Sequence, residues 1–148
     1  MKEKNVMKIY KKTLKIIQNS LKNRRTTNTS ELNKLSRDLF GTYFAGVYPV
    51  DKLPKLKDRQ SCIINLDTSN MPGSHWVSVY KQNSVYHIYD SFGRKHTTIL
   101  PSLSKLNKTF RDSDLDSEQG VLELNCGQRS IAWLCCVYTL GLEDAMKI

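Results

Sequence analysis

No apolar run in this chain approaches the roughly 20 residues that a helix needs to cross a bilayer, so no membrane span is expected. The opening stretch MKEKNVMKIYKK is too densely charged for a secretory signal, which needs an apolar segment behind a short basic one. Cysteine is sparse: Cys62, Cys126, Cys135 and Cys136 are the only four, and none stands in a CxxC spacing. That excludes a zinc cage built from ligand pairs. Neighbours such as Cys135 and Cys136 rarely bridge, so reduced thiols and an intracellular setting are expected. Internal repeats and low-complexity tracts are missing too. What is there is 148 residues, one domain, enough to bury a core without a metal or disulfide staple.

Acidic residues are scarcest where basic ones concentrate. Residues 1–25 hold Lys2, Lys4, Lys8, Lys11, Lys12, Lys15, Lys22, Arg24 and Arg25 against Glu3 alone, while the remainder is nearly balanced, with 14 basic and 13 acidic residues. Val6, Ile9, Tyr10, Ile17 and Leu21 recur at helical spacing among those lysines, so residues 3–23 read as a basic amphipathic helix. The expected organisation is a basic helical arm over residues 1–28 and a near-neutral domain over residues 29–148.

Ser30 reads as the N-cap of ELNKLSRDLFG, with Leu32, Leu35 and Leu39 on one face and Gly41 at the stop. YFAGVYPVDKLPKLKD, with two prolines, reads as an irregular surface segment, and SCIINL as a buried strand. HWVSVYKQNSVYHIYD alternates on both sides of KQNS, a hairpin pattern. A turn centred between Gln82 and Asn83 sets Val79 against Tyr86, Val77 against Ile88 and His75 against Asp90. The last two side chains then share a sheet face, with Cβ atoms about 4.5–5.5 Å apart. Residues 97–119 are expected to form a loop with a short helix. From Gly127 onward the pattern is that of a buried helix, with Ile131, Leu134, Cys135 and Tyr138 on one face and Gly141 at its end.

Cys126 lies just ahead of that helix, where unpaired N–H groups and the helix dipole favour a thiolate. Taken singly, each polar position has an ordinary use: a cysteine in the core, a histidine at a strand end, an aspartate forming a turn. Taken together, a His–Asp pair across a hairpin followed by Cys at a helix start supplies nucleophile, base and orienting group. His87 falls on the opposite hairpin face from His75, and His96 lies beyond the turn.

GSHWVSVY, YHIYDSFG and QGVLELNCG together resemble the adenovirus-type cysteine protease (adenain) family, related to the SUMO-specific (Ulp-like) proteases. The likeness extends upstream through RDLFGTYFAGVYP and SCIINLDTSNMPGSHW, covering roughly residues 30–140. The resemblance implies an α+β fold in which a small mixed sheet packs on a central helix carrying the nucleophile at its N-terminus. It also implies roles: Cys126 the nucleophile, His75 the base, Asp90 the orienting carboxylate, and Gln119 with the Cys126 N–H the oxyanion hole. Six residues separate Gln119 from Cys126, the adenain spacing.

The activity so implied is that of a viral maturation endopeptidase cutting capsid or core precursors in the virion and infected host cell. A deSUMOylase or deubiquitinase of the same fold, and an inactive nucleic-acid-binding virion protein, are the alternatives. No cofactor is required for the chemistry and no metal is expected. DNA is the implied activator, and Lys8, Lys11, Lys12, Lys15, Lys22, Arg24 and Arg25 are the expected contacts. The arm has no counterpart in the family, and no residue matches adenain's attachment cysteine for an activating peptide.

Overall fold

A computed structural model describes residues 1–21, 28–66, 75–113, 115, 117, 118 and 125–148. Helix α1 spans Glu3–Ser20 and α2 spans Thr29–Phe40; strands β1 (Phe44–Pro49), β2 (Ser61–Asn65), β3 (Trp76–Gln82) and β4 (Val85–Tyr89) follow. The short helix α3 (His96–Ile99), strand β5 (Thr109–Asp112), helix α4 (Cys126–Leu140) and the short α5 (Leu142–Ala145) complete the order. The fold is α+β. Its five strands lie in chain order, β1 and β2 parallel, β2–β3–β4 antiparallel, and β4 and β5 parallel.

Helix α4 lies along one sheet face. Near its start Ser130 Oγ donates to the Trp76 carbonyl at 3.2 Å, and near its end the Tyr138 hydroxyl meets Ser61 Oγ at 2.9 Å. The core on this side combines Trp76, Tyr80 and Tyr89 of the sheet with Ile131, Trp133 and Leu134 of α4. A second core, on the other face, combines Val77, Val79, Tyr86 and Ile88 with Leu56, Leu100 and Leu103.

Helix α1 is part of the first core. Val6, Tyr10, Leu14 and Ile17 are buried there, while Lys8, Lys11, Lys12 and Lys15 are exposed on its outer face. The amphipathic helix expected from the sequence is thus present, but it is packed on the domain rather than standing off as an arm. The boundary at residue 28 follows charge along the chain and not a division of the core. Lys22, Arg24 and Arg25 lie outside the described residues.

Four local expectations change. Asn28, not Ser30, caps α2: its side chain accepts from the Glu31 N–H at 2.8 Å while Glu31 accepts from the Asn28 N–H at 3.1 Å, a capping box. The face of α2 turned to the core carries Leu32, Ser36 and Phe40, while Leu39 is exposed. The proline-bearing segment after Gly41 contains β1, an edge strand with an irregularity between Phe44 and Val47; Pro49 ends it, where a missing N–H costs no ladder bond. β5 lies in the stretch expected to be loop and short helix, its alternating exposure typical of an edge strand.

The fourth change is the hairpin register. Asn83 and Ser84 form the two-residue turn, both with positive φ (53° and 67°), as a type I′ turn requires. The turn centre is one residue later than the sequence suggests, so Val79 faces Ile88 and Gln82 faces Val85. Each partner moves by two residues, and the pleat repeats every two, so every side chain keeps its expected face.

Candidate active site

His75 immediately precedes β3 and Asp90 immediately follows β4, so both stand at the same end of the sheet. In the observed register they are diagonal neighbours rather than directly opposed, a separation of about 7–8 Å, somewhat less between Cβ atoms, that an imidazole and a carboxylate can span. His75 Nε2 and Asp90 Oδ1 are 2.7 Å apart, and both groups are buried. The His75 carbonyl accepts from the Leu66 N–H at 2.9 Å, fixing this residue to the end of β2.

The turn after β4 is built around the Asp90 carboxylate. It accepts from the backbone N–H groups of Phe92 and Arg94 at 3.2 Å each, and from Arg94 Nε at 2.8 Å. Gly93, with φ of 69°, turns the chain back so that its N–H donates to the Asp90 carbonyl at 2.8 Å. The Phe92 ring stacks on the His75 imidazole with centroids 5.0 Å apart, and the Arg94 guanidinium lies 5.0 Å from the Phe92 ring centre. The imidazole is therefore held in plane by a phenyl ring and in direction by a carboxylate that is itself pinned.

Cys126 is the first residue of α4, and its thiol interacts with the His75 imidazole. With Nε2 committed to Asp90, Nδ1 is the ring nitrogen left for the sulfur. Burial by itself would push the Cys126 pKa up, but the His75 hydrogen bond and charge, and the N–H groups of Trp76 and Gly127, outweigh it and bring it below the ordinary thiol value. Burial would likewise lower the His75 pKa, yet the bonds to Asp90 and Cys126 leave it raised. For Asp90 burial is again opposed, here by His75 and Arg94, which hold its carboxyl down at about 2. All three shifts favour a charged thiolate, imidazolium and carboxylate in a row.

No other cysteine shares this environment. Burial pushes Cys135 up to about 11 and Cys136 to about 12, and Cys62, wholly buried in the second core, higher still. His87 pairs with Tyr80 and Arg111 in the sheet, and burial lowers its pKa. His96 is bonded through Nδ1 to Asp112 at 3.0 Å. Neither joins the site.

His75, Asp90 and Cys126 are thus brought together. Gln119, the remaining expected site residue, lies outside the described residues. Phe92 and Arg94 are additions that sequence reasoning missed; the available hint was an arginine four residues after the aspartate across a glycine turn. Among the described residues, no group of three or more His, Cys, Asp or Glu side chains is placed to hold a metal, and no helix is long and apolar enough to cross a membrane. No protein-family model matches the chain, and no curated protein matches it.

Proposed function

We propose that this chain is a cysteine endopeptidase of the adenain/Ulp-like fold, acting as a viral maturation protease on capsid or core precursors. The observation that carries the chemical part of this reading is the His75 imidazole, bonded at Nε2 to Asp90 and interacting with a cysteine at a helix start. The viral substrate class rests on the resemblance of GSHW, YDSFG and the Gln119–Cys126 spacing to that family.

In the proposed reaction the Cys126 thiolate attacks the scissile carbonyl carbon and the carbonyl π electrons move onto oxygen. Backbone N–H groups at the helix start and the Gln119 amide stabilise that oxyanion. On collapse the C–N bond breaks, and the His75 imidazolium gives its proton to the leaving amine, leaving a thioester. Neutral His75 then takes a proton from water as it attacks the thioester. Carboxylic acid leaves, and the thiolate–imidazolium pair is restored. Asp90 orients the ring throughout and carries no proton.

Cys126→Ala is expected to abolish cleavage of the structural precursors, and iodoacetamide is expected to modify Cys126 faster than Cys62, Cys135 or Cys136 at neutral pH. Equal labelling of all four in the folded protein would remove the catalytic reading. Rapid reaction with a ubiquitin-like C-terminal probe, without precursor cleavage, would make the chain a deSUMOylase or deubiquitinase instead. DNA is the proposed partner of the exposed lysines on α1.

A further inference from the structure

Four polar side chains from four parts of the chain meet behind the site. Arg129 Nη1 donates to the Tyr10 hydroxyl at 3.3 Å, and the Tyr10 and Tyr89 hydroxyls are 2.7 Å apart. The Tyr89 hydroxyl also interacts with the Glu118 carboxylate. One direction is fixed, because a guanidinium can only donate: Arg129 donates to Tyr10, and the two tyrosine hydroxyls share the next bond. Tyr10 and Tyr89 are both fully buried, their rings edge-on at 6.2 Å, and Tyr89 lies flat on Trp133 of α4 at 5.5 Å.

The relay is tied to the chain on both sides of the site. Tyr89 is joined by a peptide bond to Asp90. Arg129 also donates through Nε to Asn125 Oδ1 at 3.0 Å, and Asn125 is joined to Cys126. The Glu118 N–H donates to the Ser91 carbonyl at 2.9 Å, on the other side of Asp90. Tyr10 alone of these comes from α1, and its hydroxyl links Tyr89, the last residue of β4, to Arg129 of the helix that begins at Cys126.

We propose that Tyr10 is a positioning residue of the catalytic centre, so that docked α1 is a working part of it. The inference rests on the catalytic reading above. Removing the hydroxyl takes one acceptor from Arg129 and the hydrogen-bond partner of the Tyr89 hydroxyl at a buried junction, and both side chains can then shift the two backbones that set the His75–Cys126 approach. Small displacements of this kind cost rate steeply.

The test uses the full chain with Tyr10→Phe, which keeps the ring, and Ile17→Ala, which weakens α1 packing in the same core without touching the relay. Three quantities are compared: the melting temperature, the pH profile of Cys126 alkylation by iodoacetamide, and kcat and KM on a peptide substrate. Tyr10→Phe is expected to move the alkylation midpoint upward, to slow alkylation at neutral pH several-fold, and to lower kcat by roughly three- to tenfold with KM unchanged. Ile17→Ala is expected to lower the melting temperature at least as much while leaving the alkylation profile in place. If Tyr10→Phe loses melting temperature only, with the profile of the wild type, Tyr10 is packing and the proposal is overturned. A wild-type Cys126 that alkylates like an ordinary thiol would overturn the catalytic reading and this inference with it, a result read before any variant is made.

Discussion

At Asp90 one carboxylate meets the His75 ring, the Arg94 guanidinium and two backbone N–H groups, and the signs of its interactions make separable demands. Asp90→Asn removes the charge that stabilises the His75 imidazolium. The His75 pKa should fall, the Cys126 thiolate lose its partner, and the alkylation midpoint rise, with kcat reduced and the fold retained. Because the Asp90 pKa in the folded state, about 2, lies below its ordinary value near 4, its contribution to stability is full above that value and is lost as pH falls toward 2. The difference in unfolding free energy between wild type and Asp90→Asn should therefore narrow between pH 4 and pH 2; a difference that stays flat would mean the carboxylate is not held by its charge partners. Arg94→Ala acts in the opposite electrostatic sense. With the competing cation gone, Asp90 acts more strongly on His75, whose pKa should rise while kcat falls through looser orientation, and NMR titration of the ring against the pH–rate profile would separate the two. An unchanged His75 titration would assign Arg94 to the turn alone.

Among the elements, the hairpin between β3 and β4 shows how a turn sets a site. Ser84 occupies a left-handed position, φ 67°, where only Gly is free of a Cβ penalty and Asn is tolerated. Ser84→Gly is expected to stabilise the protein by about 0.5–1 kcal/mol in denaturant titrations without affecting alkylation of Cys126, because the turn is at the opposite end of the hairpin from His75. Destabilisation would mean that the Ser84 side chain contributes more than its backbone costs. Helix α4 shows the complementary case. It is buried on nearly every side, by the sheet, α1, α2 and α5, so its start is immobilised by packing and needs no side-chain cap.

For the molecule as a whole, the decisive feature is that α1 and α4 share one core. Val6, Leu14 and Ile17 each lose most of their exposure there, worth up to roughly 1.5–3 kcal/mol apiece, against a typical total stability of about 5–15 kcal/mol. Deleting residues 1–25 is therefore expected to unfold or aggregate the remainder, visible as lost cooperative melting by circular dichroism; a truncated protein that melts cooperatively and keeps its fast-labelling cysteine would show α1 to be dispensable after all. The charge can be tested without breaking the core. Lys8, Lys11, Lys12 and Lys15 are exposed, so replacing all four by Gln should leave the fold intact. If they neutralise phosphates, the slope of log K against log salt should flatten by up to about 0.9 for each phosphate that is no longer neutralised. An unchanged slope would end the DNA proposal for this face.

Composition, period and local chemistry were enough to find the amphipathic helix, the buried strand, the hairpin, the buried helix and the isolated character of Cys126, because each is written within a dozen or so neighbouring residues. That the hairpin brings His75 and Asp90 to one end of the sheet was legible for the same reason, but both stand just outside the strands, so their 2.7 Å bond comes from the chain beyond the ladder and not from pleat parity. β1 and β5 were not legible, since both are edge strands whose pairing is supplied by a neighbour distant in sequence rather than by their own pattern. Asn28 and Ser30 are equally good caps by type, and only the reciprocal bond to Glu31 decides between them. Above all, charge along the chain marked residues 1–28 as an arm, while burial of Val6, Tyr10, Leu14 and Ile17 against α4 made α1 part of the core. An amphipathic helix records that one face is apolar, and only tertiary packing decides what that face covers.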